Sequence, residues 1–200
     1  ETSKGSGQTP SGETIYEIGS VSKAFTGVLL AKLVTDGHVK LDDPLQKYLP
    51  AKVTAPKFGD TPITLEHLAT HTSGLPRLPD NLAPADPLNP YADYTAKRMY
   101  DFLSGHKVRR APGEYEYSNY GMGLLGHVLG RQRRMNYERL LVAEIAKPAG
   151  MVDTCITLTK EQRNRFAPPY NAGLKADKNW DIPALNGAGF RPSARISRAR

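Results

Sequence analysis

The chain has 200 residues, a net charge of +7 and one cysteine. That length suits a medium domain with a sizeable core, and the mixed composition excludes a disordered or fibrous chain. No apolar run nears the roughly 20 residues needed to span a bilayer, and Cys155 alone excludes an internal disulfide.

The polar opening Glu1–Gly7 does not read as a secretory signal peptide, which predicts a cytoplasmic protein or a processed or cropped form. Glu13–Ile18 reads as a short strand arriving at Gly19. Ser20 then opens an apolar segment, Val21 to Val34, expected to be a helix stopped by Asp36 with Gly37 in the C′ position. Val39 to Leu45 reads as a turn and short helix ended by Pro50, and Lys52 to Asp60 as loop. Thr64 caps a helix with Leu65, Leu68 and Ala69 inward, ending in His71-Thr72-Ser73-Gly74-Leu75-Pro76. Leu75 to Tyr94 is proline-rich and aperiodic, a long excursion of the kind that is functional or mobile. Thr95 caps the next helix, with Met99, Phe102 and Leu103 on one face. The turn Ala111-Pro112-Gly113-Glu114 delivers Tyr115 to Tyr120, followed by a helix over Gly121–Leu129. Asn136 opens a further helix with Tyr137, Leu140, Leu141 and Ile145 apolar, closed by Pro148 and Gly150. A short strand is expected near Cys155, where a lone cysteine is a small buried hydrophobe. Helices dominate, and there is no internal repeat.

Three groupings bear on chemistry. Lys23 follows Ser20 by one helical turn, on the same face. A serine among free helix N–H groups, with a lysine in reach of its hydroxyl, can serve as a nucleophile. Serine is also a common N-cap, and a second Ser-x-x-Lys, Ser104 to Lys107, reads as surface at a helix end. Tyr117-Ser118-Asn119, on a turn before a helix, can converge a phenol and a carboxamide on one cleft. A nearby lysine favours the phenolate, which could take a serine proton. Asn119 can donate to a substrate carbonyl and orient Lys23. The plainer reading is turn chemistry with a packing aromatic. His71, with Asp42 or Asp43, offers a Ser-His-Asp alternative, although a cationic histidine also suits a helix C-terminus. No His/Cys/Asp/Glu cluster has metal-ligand spacing and no Gly-rich loop follows a strand, so neither metal nor cofactor is expected. The clusters Arg131/Arg133/Arg134 and Arg191/Arg195/Arg198/Arg200 accompany no nucleic-acid-binding module and read as solvated helix ends and tail.

Ser20-Val21-Ser22-Lys23, Leu41-Asp42-Asp43-Pro44-Leu45, Pro62 to Pro76 and Tyr117-Ser118-Asn119 stand in an order that closely resembles the serine β-lactamase-like family. That family holds class C β-lactamases, D-Ala-D-Ala carboxypeptidases and family VIII esterases. The similarity runs from about Glu13 to Gly189. The resemblance implies an α/β (α+β) β-lactamase/transpeptidase-like fold. Here it is mainly the helical lobe, with much of the central antiparallel sheet missing. It implies a flexible segment over residues 1–12, a partial domain over 13–189 and a divergent basic tail over 190–200. It implies Ser20 as acylated nucleophile, Lys23 as its activator, Tyr117 as general base and acid, and Asn119 as substrate binder. The Ser20 N–H would be half of an oxyanion hole, and His71 to Pro76 a structural turn. The substrate would be a β-lactam, a D-Ala-D-Ala peptide or an ester, met in the periplasm or another extracytoplasmic space.

The family's third element, Lys-Thr/Ser-Gly or His-x-Gly on a late strand, has no match after Asn119. Lys57-Phe58-Gly59 lies in the wrong place, and Phe190 and the basic tail depart from the pattern after Gly187-Ala188-Gly189. Weak or absent catalysis by this chain alone is therefore expected, since one lost oxyanion donor costs about 10²–10³ in rate. A second chain or a missing segment would complete the sheet. The alternative is a catalytically impaired homologue that binds peptidoglycan or a protein.

Overall fold

The computed structural model describes residues 1–175, 177 and 180–188. A 3₁₀ turn at Gly19–Val21 leads into α1 (Ser22–Thr35), and a second at Leu45–Tyr48 precedes the hairpin β1 (Lys57–Phe58) and β2 (Thr61–Pro62). Then come α2 (Leu65–Ala69), α3 (Ala96–Gly105), α4 (Asn119–Gln132), α5 (Tyr137–Leu141), a π-helical turn at Val142–Ala146, and α6 (Lys160–Asn164). The expectations for Gly189, Phe190 and the arginines of 190–200 concern residues outside the described ones.

The helix starts follow local capping chemistry. The side chains of Thr64, Thr95, Ser118, Asn136 and Thr159 each accept the N–H three residues on. Ser118 takes this role for α4, so that helix starts at Asn119, two residues before the expected Gly121, and Asn119 is its first residue rather than part of the preceding turn. Ser20 is likewise not the cap of α1. It sits inside the 3₁₀ turn, entered through Gly19 at φ +50°, and Gly37 at φ +73° ends α1 as expected.

Helix α4 is the centre of the core. Tyr120, Leu124, Leu125, Val128 and Leu129 are buried on it, and α1, α2 and α5 pack against it with Leu29, Leu33, Leu65, Leu68, Leu140 and Leu141. Its glycines admit close neighbours. A Cβ at Gly123 would lie 2.7 Å from the Leu185 side chain, and one at Gly126 would lie 2.7 Å from the Gly187 Cα. The segment over 184–188 therefore lies directly on α4, and its far end reaches Lys23.

Helix α1 is apolar on two sides. Leu29, Leu30 and Leu33 face the core, whereas Val21 and Val28 are 64% and 52% exposed. A helix apolar all round is one built to be covered on both faces.

The only sheet among the described residues is the hairpin, with Lys57 opposite Pro62 and Phe58 opposite Thr61. It forms where loop was expected. The two expected strands do not form. Glu13–Ile18 forms no continuous strand: Ile15 makes an isolated parallel bridge to Phe166, flanked by Ile15 N–H to Arg165 O and Ala167 N–H to Ile15 O, both 2.9 Å. Near Cys155 the N–H groups that a neighbouring strand would use are taken by a side chain. The Glu138 carboxylate accepts from Ile156 and Thr157 at 2.6 and 2.7 Å. Cys155 itself is half-buried, with Sγ 3.5 Å from Gln162 Oε1.

Asp43 anchors the turn after α1. Its carboxylate accepts from Lys47 Nζ at 2.7 Å, from the Lys40 N–H at 2.8 Å and from the Tyr48 hydroxyl. Hydrogen bonds from Lys47 and Tyr48 hold its pKa at about 2. The folded value is depressed below the usual 3.9, so the stabilisation is complete above that value and is lost as pH falls towards 2. Acid unfolding followed by circular dichroism is expected to show a component between pH 4 and 2 that Asp43→Asn removes. An unchanged acid limb in that variant would contradict this role.

Candidate active site

Ser20 is presented to solvent by the 3₁₀ turn, and Lys23 rises beside it from the first turn of α1. Lys23 Nζ donates to Ser20 Oγ at 3.0 Å and also to the Ala188 carbonyl. Tyr117 arrives from the opposite side, and its hydroxyl donates to Ser20 Oγ at 2.8 Å. The ammonium lies 4.8 Å from the Tyr117 ring centroid. Two side chains, from stretches far apart in sequence, thus meet at the Ser20 hydroxyl oxygen.

The electrostatics follow from this contact. Burial lowers the Lys23 pKa, the nearby Tyr117 opposes that shift, and the Arg77 charge adds to it, for a net lowering. For Tyr117, burial acts upward but is outweighed by the hydrogen bonds to Lys23 and Ser20 and by the charges of Lys23 and Arg77. Its phenol is therefore more acidic than usual.

Tyr117 is held by His71. The His71 Nδ1 accepts the Ser118 N–H at 3.1 Å, its carbonyl accepts the Glu116 N–H at 2.7 Å, and its ring packs 4.7 Å from the Tyr117 ring. Nδ1 is therefore a lone-pair acceptor, and burial followed by the Lys23 charge lowers the His71 pKa. This runs against the expectation of a cationic helix-end histidine: burial first, and then the Lys23 charge, disfavour a cation here. The Ser-His-Asp alternative also falls on geometry. Asp43 is engaged by Lys40, Lys47 and Tyr48, and neither Asp42 nor Asp43 contacts His71.

Asn119 is half-buried beside the cluster, but no hydrogen bond joins its side chain to Lys23. The Ala188 carbonyl makes the contact expected of it. Behind α1, Thr26 Oγ1 donates to the Gly187 carbonyl at 2.8 Å and lies 2.7 Å from the Tyr137 hydroxyl, which fixes the backbone leading to Ala188. The sequence shows Gly187-Ala188-Gly189 as the last part of the family pattern but not the role of the Ala188 carbonyl, because a backbone acceptor leaves no residue-type signal. It missed Arg77, whose guanidinium lies 5.3 Å from the Tyr117 ring centroid, because that residue sits in the aperiodic proline-rich stretch. The second Ser-x-x-Lys is not brought together: the Ser104 hydroxyl accepts the Thr54 N–H at 3.2 Å. Among the described residues, no group of three or more His, Cys, Asp or Glu could hold a metal ion. No helix there is long and apolar enough to cross a membrane.

A helical lobe whose leading helix offers Ser and Lys to a Tyr from the next motif is the arrangement of the β-lactamase/transpeptidase-like fold. The chain belongs to the β-lactamase family, whose model matches residues 2–197. It is 37% identical over 183 residues to AmpH of Escherichia coli K12, a D-alanyl-D-alanine-carboxypeptidase/endopeptidase. That alignment covers 88% of this chain and 47% of that protein. A β-lactamase of Pseudomonas fluorescens is 33% identical over 175 residues, which cover 86% of this chain and 45% of that protein. In structure, a β-lactamase/D-alanine carboxypeptidase from Yersinia pestis matches with a TM-score of 0.87 at 34% identity, over 98% of this chain and 54% of that one. The chain spans about half the length of the relatives it matches.

Proposed function

We propose that this chain carries the nucleophile half of a serine acyl hydrolase that forms an acyl-enzyme on Ser20. The observation that supports it best is the pair of hydrogen bonds converging on Ser20 Oγ, from Lys23 at 3.0 Å and Tyr117 at 2.8 Å. In the phenolate form, Tyr117 accepts the Ser20 proton as Oγ attacks the substrate carbonyl carbon. The carbonyl electrons move to oxygen, where the Ser20 N–H stabilises the oxyanion. Collapse expels the leaving amine or alcohol, which receives the proton from Tyr117, and leaves an ester on Ser20. Lys23 remains protonated, its charge holding Tyr117 towards phenolate. Asn119 donates to the substrate amide. Water then hydrolyses the ester with Tyr117 again as base. The substrate class is an amide or ester such as a β-lactam or a D-Ala-D-Ala-type peptide, encountered outside the cytoplasm.

A second chain or further segment completing the sheet belongs to this reading, because the exposed Val21 and Val28 face of α1 is apolar and uncovered. A binding module for peptidoglycan or a protein is the second reading.

Burst kinetics separate the two. With a p-nitrophenyl ester in excess, the chain is expected to release about one equivalent of nitrophenol quickly and then slowly, as an accumulating acyl-enzyme does. Ser20→Ala is expected to lose the burst. A burst that persists in Ser20→Ala, or none from the folded wild-type chain, would overturn the hydrolase reading.

A further inference from the structure

Arg77 lies outside the Ser20, Lys23 and Tyr117 cluster yet is fixed against it. Its carbonyl accepts the N–H groups of Asn119 at 3.1 Å and Tyr120 at 3.2 Å, and the neighbouring Pro76 carbonyl accepts Ser118 Oγ at 2.6 Å. These bonds pin the backbone of Pro76 and Arg77 to the first turn of α4. The guanidinium consequently leans on the Tyr117 ring, 5.3 Å from its centroid. No carboxylate among the described residues pairs with Arg77, and the chain's remaining residues include no Asp or Glu. Lys23 and Arg77 thus flank one phenol, and no carboxylate among the described residues pairs with either.

An aromatic surface adjoins this cation. Tyr91 stands on the same proline-rich stretch as Arg77, where burial pushes its phenol up and the Arg77 charge opposes that shift. Tyr91 meets Trp180 edge-on, at 5.5 Å between ring centroids, and Trp180 is 45% exposed. The pair is clamped from below. Asn89 Nδ2 donates to Asp181 Oδ2 at 3.0 Å and Asn89 Oδ1 accepts the Asp181 N–H at 2.8 Å, so the one carboxylate nearest Trp180 is already engaged by an amide. The proline-rich loop and the segment leading to Ala188 are joined at this point.

We infer that Arg77, with the Tyr91–Trp180 surface beside it, binds a carboxylate carried by the acyl part of the substrate, so that the site selects anionic acyl donors. The inference rests on the reading of Ser20 as the acylated residue. A guanidinium offers a carboxylate two parallel N–H donors. The Arg77 side chain is exposed and open to a ligand, the neighbouring Lys23 charge adds to the attraction, and the aromatic rings cover the hydrocarbon between the carboxylate and the scissile carbonyl.

Trp180 is the only tryptophan, so its fluorescence reports binding at this surface directly. The test uses the Ser20→Ala chain, which binds without turnover, titrated with N-glutaryl-D-alanine and with the neutral-ended monoamide of the same acyl group. Both ligands share the D-alanine carboxylate. The glutaryl ligand is expected to bind about tenfold more tightly, from one charge-assisted contact. That preference should vanish in Arg77→Gln, persist in part in Arg77→Lys, and shrink in high salt. Equal affinity for the two ligands, a preference that survives Arg77→Gln, or an equal loss of both ligands in that variant would overturn it. The burst with an uncharged ester is read separately. A burst without anion preference leaves the Ser20 reading intact and removes this one, while anion preference without a burst removes the Ser20 reading and with it the selection of acyl donors, leaving Arg77 an anion-binding residue only.

Discussion

Tyr117→Phe is expected to slow acylation of Ser20 by about 10²–10⁴-fold, the usual contribution of a positioned general base. The change removes one oxygen, which donates to Ser20 Oγ at 2.8 Å and also interacts with Lys23. The ring keeps its contacts with His71 and Arg77, and the Ser118 N–H still has His71 Nδ1 to hold the segment in place. Folding should therefore be nearly unaffected, and the loss should appear in the acylation rate alone. The pH dependence carries a second signature. The reactive form is the phenolate, so the rate rises with pH through the Tyr117 titration. That titration lies below the usual phenol value because Lys23 and Arg77 outweigh the upward effect of burial. Removing the charge at Lys23 should move the rising limb to higher pH, and Tyr117→Phe should abolish it. Stopped-flow acylation across pH checks all three profiles. A Tyr117→Phe profile that matches wild type would remove Tyr117 from the proton path.

Gly187→Ala has the second largest expected effect, and it joins packing to chemistry. An added Cβ would lie 2.7 Å from the Met122 carbonyl oxygen and 2.8 Å from the Gly126 Cα. Both are backbone atoms of α4, which cannot move aside as a side-chain tip could. Overpacking of this kind costs about 1–3 kcal/mol. The segment over 184–188 is the less strongly held partner and should lift from the helix. Thr26 would then lose its acceptor at Gly187, and Lys23 its acceptor at Ala188. The expected result is a lower denaturant midpoint together with slower acylation of the fraction that remains folded. A destabilised variant that acylates Ser20 at the wild-type rate would show that Ala188 does not help position Lys23.

The helices were legible because their signals are local. Thr64, Thr95 and Asn136 cap where a short polar side chain precedes an apolar period, and Gly37 ends α1 where a positive φ is needed. Ser118 misled by two residues, because its side chain is spent on capping while the same short stretch presents Tyr117. The strands were not legible. Ile15 finds a single bridging partner, and Glu138 takes the N–H groups near Cys155 that an edge would otherwise use. Of the candidate site, Ser20, Lys23 and Tyr117 stood out as candidates by spacing, and the family resemblance of their motifs singled them out. The Ala188 carbonyl and the Arg77 guanidinium could not. One is backbone and the other lies in a loop without periodicity, and each reaches the site only through the packing of α4.

The central claim is that Ser20 is an activated nucleophile in this chain. The most direct measurement is intact-mass spectrometry with peptide mapping after incubation with a penicillin and, separately, a fluorophosphonate, beside Ser20→Ala. The account predicts one covalent adduct per folded chain, mapped to the peptide holding Ser20 and missing from Ser20→Ala. A folded chain that takes up neither reagent, or an adduct mapped to another residue, would contradict it.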